Sequence, residues 1–109
     1  PSEGSEAIRR RVMAAREVQN IRFASIPDVH CNAQMTPALM QRFARPDAEG
    51  LARLKAAMER LDLSARAYDR ILKVARTIAD LAGGGAIRKE HIAEAIHYRS
   101  LDRSSWGQK

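Results

Sequence analysis

One segment of this sequence, residues 64–83, constrains the fold more than any other. At 100° per residue, its side chains divide between two opposite faces of one helix with almost no exceptions. The apolar face holds Tyr68, Ile71, Leu72, Ala75, Ile78, Ala79 and Ala82. The polar face holds Arg66, Asp69, Arg70, Lys73, Arg76, Thr77 and Asp80. Ser64 is the predicted N-cap and Gly83 stands where a helix stops, so the segment predicts one amphipathic helix.

The preceding residues also predict helices. The first helix covers about residues 5–23, with Ile8, Val12 and Ala15 on one stripe that Gln19 shares. Residues 25–35 contain turn-forming residues and predict a connecting loop.

Two N-cap signals and one apolar stripe mark further helices. Thr36 followed by Pro37 predicts the N-cap and first position of a short helix that stops before Pro46. Asp47 is the predicted cap of a third helix, and a last helix covers about residues 88–99. The predicted inward residues of these helices are Leu39, Met40, Phe43, Leu51, Leu54, Met58, Leu61, Ile92, Ala95 and Ile96.

Length and composition agree with a single helical domain. The chain has 109 residues, and aromatic residues make up only 5% of it. Alanine and arginine, which favour helices, are abundant, whereas β-branched residues are scarce. A bundle is the only arrangement that buries all the apolar stripes, so we expect an all-α bundle of about five helices.

Charge and cysteine content narrow the function only slightly. The formal net charge is +6, but cations alternate with carboxylates, so solubility explains this charge as well as a phosphate-rich partner does. No apolar run is long enough to cross a membrane. Cys31 is the only cysteine, which excludes an intramolecular disulfide and favours a cytoplasmic location.

No constellation for catalysis or metal binding stands out. Gly83–Gly85 follow a helix and lack the spacing and Ser/Thr of a phosphate-binding loop, so they predict a helix-to-helix turn. Cys31 beside His30 is expected to be an inert loop thiol, because adjacency in sequence is not catalytic geometry. The remaining histidines, His91 and His97, fall on opposite sides of a helix, so no metal site is predicted.

One group of arginines and one single arginine are candidates for binding anions. Arg9, Arg10, Arg11 and Arg16 give the first helix a cationic flank, which is either a solvated face or a contact for nucleic acid backbone. Arg66 lies in the first turn after Ser64, where free N–H groups and the helix dipole already favour an anion. Its planar fork suits phosphate oxygens, although a solvated arginine is the simpler interpretation.

The stretch Leu63 to Leu81, LSARAYDRILKVARTIADL, resembles the C-terminal helical domain of magnesium-chelatase-related AAA+ ATPases, in the ComM-like competence branch. Shorter matching pieces extend the resemblance over nearly the whole chain. They are Ala14-Ala15-Arg16 with Gln19, Asn32-Ala33-Gln34-Met35, His91-Ile92 with Glu94-Ala95, and Tyr98-Arg99-Ser100-Leu101-Asp102-Arg103.

This resemblance implies that residues 1–103 are the lid of an AAA+ ATPase and that residues 104–109 are a frayed tail. By motif position, Arg66 is the "sensor 2" arginine that meets the nucleotide phosphate. The resemblance places ATP, Mg²⁺ and the catalytic residues in an ATPase core outside this chain. It implies that the 109 residues by themselves bind no cofactor. It further implies a cytoplasmic homo-hexameric motor acting on DNA in branch migration. The alternative is a stand-alone basic helical module that binds DNA or a protein partner.

Overall fold

The computed structural model describes the backbone of residues 4–107 and the side chains of residues 4–98. Over that range the chain forms five α-helices without a β-strand, which confirms the all-α bundle. A short 3-10 turn, Asn32–Gln34, lies in the loop after the first helix. The helices are α1 (Ser5–Arg22), α2 (Pro37–Phe43), α3 (Ala48–Leu61), α4 (Ala65–Leu81) and α5 (Lys89–Gly107).

The three predicted N-caps are confirmed by hydrogen bonds. The side chains of Thr36, Asp47 and Ser64 each accept from the amide three residues further on, at 3.3, 2.7 and 3.2 Å. Each bond satisfies one of the amides that a helix start leaves without a backbone partner, and it stabilises the helix by about 1 kcal/mol.

The start of α5 uses a different cap, because the side chain of Arg88 has no hydrogen-bond acceptor. The amide of Arg88 donates instead to Nδ1 of His91, at 2.9 Å, so the third helical residue caps the start from inside. The helix continues to Gly107, so the expected end near residue 99 is wrong. The last two residues of the expected frayed tail, 108 and 109, lie outside the described residues.

Helix α4 is the centre of the bundle. It packs against α1, α2, α5 and the 3-10 turn, while α3 packs against α5. Leu54, Ile71, Ile87 and Ile92 are at most 1% exposed, and burying a side chain of this size stabilises the fold by about 1.5–3 kcal/mol. The rings of Phe23 and Phe43 meet edge to face with centroids 5.7 Å apart.

Some residues predicted to face the core are exposed. Ile8 and Val12, in the first half of α1, are 45% and 39% exposed. Among the described side chains of α1, Ala15 in the second half is the one that is buried. Leu61 is 39% exposed at the last position of α3. Ala82 is exposed just after the end of α4. An apolar stripe therefore indicates which face of a helix packs against the bundle, but not how far along the helix that packing extends.

Two connections of the bundle are tied to each other. An isolated bridge pairs Pro46 with Ile87, and the amide of Asp47 donates to the carbonyl of Ile87 at 2.9 Å. Gly83–Gly85 form the predicted helix-to-helix turn, with φ values of 112°, 86° and 86°. All of these values are in the left-handed region that glycine adopts without steric strain.

Candidate functional site

The predicted site residue, Arg66, lies at the exposed start of α4. It is the second residue of the helix and its side chain is exposed. No residue from Gly4 to Tyr98 is hydrogen-bonded or ion-paired to its guanidinium. Among the side chains of residues 4–98, none encloses the guanidinium in the core and no carboxylate pairs with it, so this part of the chain leaves it accessible to a ligand.

The backbone around Arg66 is firmly positioned. Asp62 adopts left-handed φ and ψ of 52° and 54° at the end of α3. Its amide and that of Leu63 both donate to the carbonyl of Met58, which closes a tight turn before the Ser64 cap. Leu63 then packs against the core. The turn fixes where α4 begins, and therefore where Arg66 stands.

The chemistry available at this helix start is anion binding. Ser64 satisfies one amide of the first turn, and the amides of Ala65 and Arg66 have no carbonyl within the helix to bond. These amides, the positive end of the helix dipole and a guanidinium all favour a phosphate group. Without an anion, a cation at this end of a helix is electrostatically unfavourable.

The other end of α4 holds a buried charged cluster that the sequence analysis missed. Two nitrogens of Arg22 donate to the two carboxylate oxygens of Asp80, at 2.7 and 2.8 Å. Asn32 donates to the same carboxylate at 2.9 Å and accepts from Arg22 at 2.8 Å. Asp80 and Asn32 are each 2% exposed. The cluster therefore joins α1, the 3-10 turn and α4 away from solvent.

Arg76 is the second arginine of this cluster. It is 6% exposed and donates to the carbonyls of Phe43 and Gly85, at 3.0 and 2.6 Å. Its Nε lies 3.2 Å from Oδ1 of Asp80 without making a hydrogen bond. Arg76 thus ties the end of α2 and the glycine turn to α4.

The cluster shifts the pKa values of its members. Burial by itself raises the pKa of Asp80, but hydrogen bonds from Arg22 and Asn32 and the charges of Arg22 and Arg76 outweigh it. The pKa of Asp80 is therefore below its ordinary value. Burial lowers the pKa of Arg76, the positive charge of Arg22 lowers it further, and Asp80 opposes both effects. The carboxylate is thus ionised between two guanidinium groups.

The cluster corrects the predicted polar face of α4. Arg76 and Asp80 were assigned with Arg66 to one polar face, yet both are buried against the rest of the chain. The spacing of Arg76 and Asp80 is that of an ordinary surface ion pair. The resemblance included three residues of the cluster, Arg76 and Asp80 in the Leu63 to Leu81 stretch and Asn32 in the Asn32-Ala33-Gln34-Met35 piece, without indicating that they meet.

The other candidate residues do not converge on a site. His30 and Cys31 are exposed in the loop before α2. His91 is engaged in capping α5, and His97 is exposed. Among residues 4–98, no three His, Cys, Asp or Glu side chains are grouped to hold a metal ion. Arg9, Arg10, Arg11 and Arg16 are exposed along α1.

Comparison with known proteins assigns a family to this architecture. The sequence model described as "Magnesium chelatase, subunit ChlI C-terminal" matches residues 2–99. The chain is 39% identical over 103 residues to uncharacterized protein YifB of Escherichia coli, covering 94% of the chain and 19% of that protein. It is 40% identical over 101 residues to competence protein ComM of Haemophilus influenzae, covering 93% and 19%.

More distant relatives show the same partial coverage. An uncharacterized protein of Mycobacterium tuberculosis is 34% identical over 97 residues, covering 89% of the chain and 19% of that protein. The chain thus spans about a fifth of the length of the curated relatives it matches. No solved structure matches it significantly. Among the described residues, no helix has the length and apolar character needed to cross a membrane.

Proposed function

The chain belongs to the family described as magnesium chelatase, subunit ChlI C-terminal, and on this basis we propose that it is the helical lid of an AAA+ ATPase. In this proposal the nucleotide is held by an ATPase core in another part of the same protein. The lid places Arg66 at the terminal phosphate and so couples the nucleotide state to the arrangement of subunits.

The observation that carries this proposal is the state of Arg66. Its guanidinium is exposed and has no partner among residues 4–98, at a helix start that attracts anions. Phosphate oxygens fit these donors, and a cation placed there stabilises negative charge that develops during phosphoryl transfer. The described residues offer no group of carboxylates for Mg²⁺, so the proposal assigns that ion to the ATPase core.

The proposed role of the whole protein is drawn from the names of its relatives. One relative is named a competence protein, and we propose that the parent protein is a homo-hexameric motor that remodels DNA by branch migration. We place it in the cytoplasm, where ATP is available and where the exposed thiol of Cys31 stays reduced.

The test is ATP hydrolysis by the full-length protein carrying Arg66→Ala. We expect the rate to fall by about a hundredfold or more, since removal of an arginine that acts on the transferring phosphate has effects of this size. Arg70→Ala is the matched control, because Arg70 is exposed on the same helix one turn further on. Normal hydrolysis by Arg66→Ala in a folded hexamer would refute the proposal.

A second candidate function is DNA binding by the chain alone. It is favoured by the exposed arginines of α1, Arg9, Arg10, Arg11 and Arg16. A salt titration of the isolated chain with labelled DNA separates the two functions. A DNA-binding module binds on its own and weakens steeply with salt, whereas a lid shows no tight binding at any salt concentration.

A further inference from the structure

Helix α1 is attached to the bundle mainly at its C-terminal end. Ala15 is its only buried residue among the described side chains, and Phe23, just after its last turn, is 3% exposed in the core. Toward the N-terminus, Ile8 and Val12 border an open groove of about 640 Å³ between α1, α4 and α5. The enclosed contacts of α1 among the described side chains are therefore those of its second half.

Those contacts are directional hydrogen bonds. Arg22 binds both carboxylate oxygens of Asp80, so the two planar groups are held in one relative orientation. One turn earlier, Oε1 of Gln19 accepts from the amide of Asn32 at 2.9 Å. Phe23 is thus buried just after the end of α1, and the Arg22–Asp80 pair holds the last residue of α1 against the last turn of α4.

Helix α4 links the Arg22–Asp80 pair to the candidate site. Asp80 is in its last turn and Arg66 in its first, and at about 1.5 Å per residue they are roughly 21 Å apart on one helix. The matched region is the C-terminal part of much longer relatives, so in those proteins the rest of the polypeptide precedes α1. The angle between α1 and α4 then determines where Arg66 stands relative to that preceding part.

We propose that the Arg22–Asp80 pair is a positioning contact that holds α1 and α4 at the angle required for Arg66 to reach the nucleotide. This inference rests on the proposed function of Arg66. Arg22 and Asp80 touch no ligand themselves and act through the helix that carries Arg66.

The first experiment measures the geometry without any ATPase reaction. Spin labels at Arg10→Cys on α1 and Ala65→Cys at the start of α4, with Cys31→Ser, report the distance between two exposed positions of the 109-residue chain. We expect one narrow distance distribution, and Arg22→Lys should broaden or displace it, because lysine keeps the charge but cannot bind both oxygens. Arg16→Lys, at an exposed position on the same helix, is the control and should leave the distribution unchanged.

The second experiment measures ATP hydrolysis by the full-length protein. We expect Arg22→Lys to lower kcat about tenfold, as a small misplacement of a group near the reacting phosphate does, with KM for ATP changed less than about twofold. Arg66→Lys leaves a measurable rate, so the double variant with Arg22→Lys can be assayed. Its fold-loss of kcat should be smaller than the product of the fold-losses of the two single variants. A purely structural role of Arg22 would instead multiply with the effect of Arg66→Lys, whatever the change in melting temperature.

The outcomes separate the two proposals. If Arg66→Ala hydrolyses ATP normally, the proposed function is wrong whatever Arg22 does. If Arg66→Ala is impaired while Arg22→Lys leaves both the distance distribution and kcat unchanged, the positioning role is wrong and the proposed function stands. Independent, multiplicative effects of Arg22→Lys and Arg66→Lys would also overturn the positioning role.

Discussion

The two ends of α4 hold arginines in opposite surroundings. Arg66, in the first turn, is exposed and has no partner among the described side chains. Arg76, toward the other end, is 6% exposed and donates to two carbonyls beside a buried carboxylate. Helical periodicity places both on the same polar face, so the difference arises from what the rest of the chain packs against each end.

This comparison indicates which arginines are available for function. A buried guanidinium that donates to carbonyls of the same chain is part of the packed fold, and its removal leaves those buried carbonyls without partners. A guanidinium without a partner contributes little to stability and is free to bind a ligand. The comparison therefore predicts large stability effects at the Asp80 end of α4 and small ones at the Arg66 end.

The largest effect is expected for Asp80→Ala. This change leaves Arg22 and Arg76 as buried, uncompensated cations, which lowers the free energy of unfolding by about 3–5 kcal/mol. Urea unfolding of the chain measures it, with Glu59→Ala at an exposed position as the control. A loss below about 1 kcal/mol would show that the cluster does not stabilise the fold.

Arg76→Met is expected to have the next largest effect. Methionine fills a similar volume but leaves the carbonyls of Phe43 and Gly85 without a donor, which costs about 1–3 kcal/mol of unfolding free energy. The same substitution at Arg66 should change stability by less than about 0.5 kcal/mol. Equal losses at Arg66 and Arg76 would contradict the comparison.

Acid pH is expected to weaken the Asp80 end selectively. Because the pKa of Asp80 is lower in the folded chain than in the unfolded chain, the unfolded chain binds more protons in acid. The stability contributed by ionised Asp80 is complete above about pH 4, where the unfolded carboxyl ionises, and is lost as the pH falls through the folded pKa. Asp80→Asn should therefore flatten the dependence of urea midpoints on pH below about 4. An unchanged slope would show that another carboxyl is responsible.

The smallest effect on stability is expected for Arg66→Ala. Alanine favours helices, and removing a cation from the positive end of a helix dipole is slightly favourable, so a gain of about 0.3 kcal/mol is expected at low salt. The gain should disappear at about 1 M salt, where charges are screened. Differential scanning calorimetry at two salt concentrations checks this, and a loss of 1 kcal/mol would reveal a structural role for Arg66.

Local signals predicted much of the fold from the sequence. Thr36, Asp47 and Ser64 were identified as caps because their side chains bond amides only three residues away, and such bonds depend little on the rest of the chain. The cap at Arg88 was missed because the acceptor is His91, a residue type not typical of that position.

Long-range contacts were the part that the sequence could not predict. Arg22 and Asp80 are far apart in the sequence, and nothing local distinguishes a buried ion pair from two solvated charges. Ile8 and Val12 were likewise predicted to face the core, yet they are exposed and border an open groove between α1, α4 and α5. The role of Arg66 stays a prediction, because its ligand would come from outside this chain.

The turn between α4 and α5 has a consequence for protein chemistry. Gly83–Gly85 all have positive φ, and a Cβ added at any of them would meet no atom within 4 Å. An L side chain at these positions is thus disfavoured by the positive φ and not by lack of space. A chain assembled by chemical ligation with D-alanine at Gly84 would match the backbone and restrict the unfolded chain. Its free energy of unfolding would rise by about 0.4–1 kcal/mol, whereas L-alanine at Gly84 would lower it.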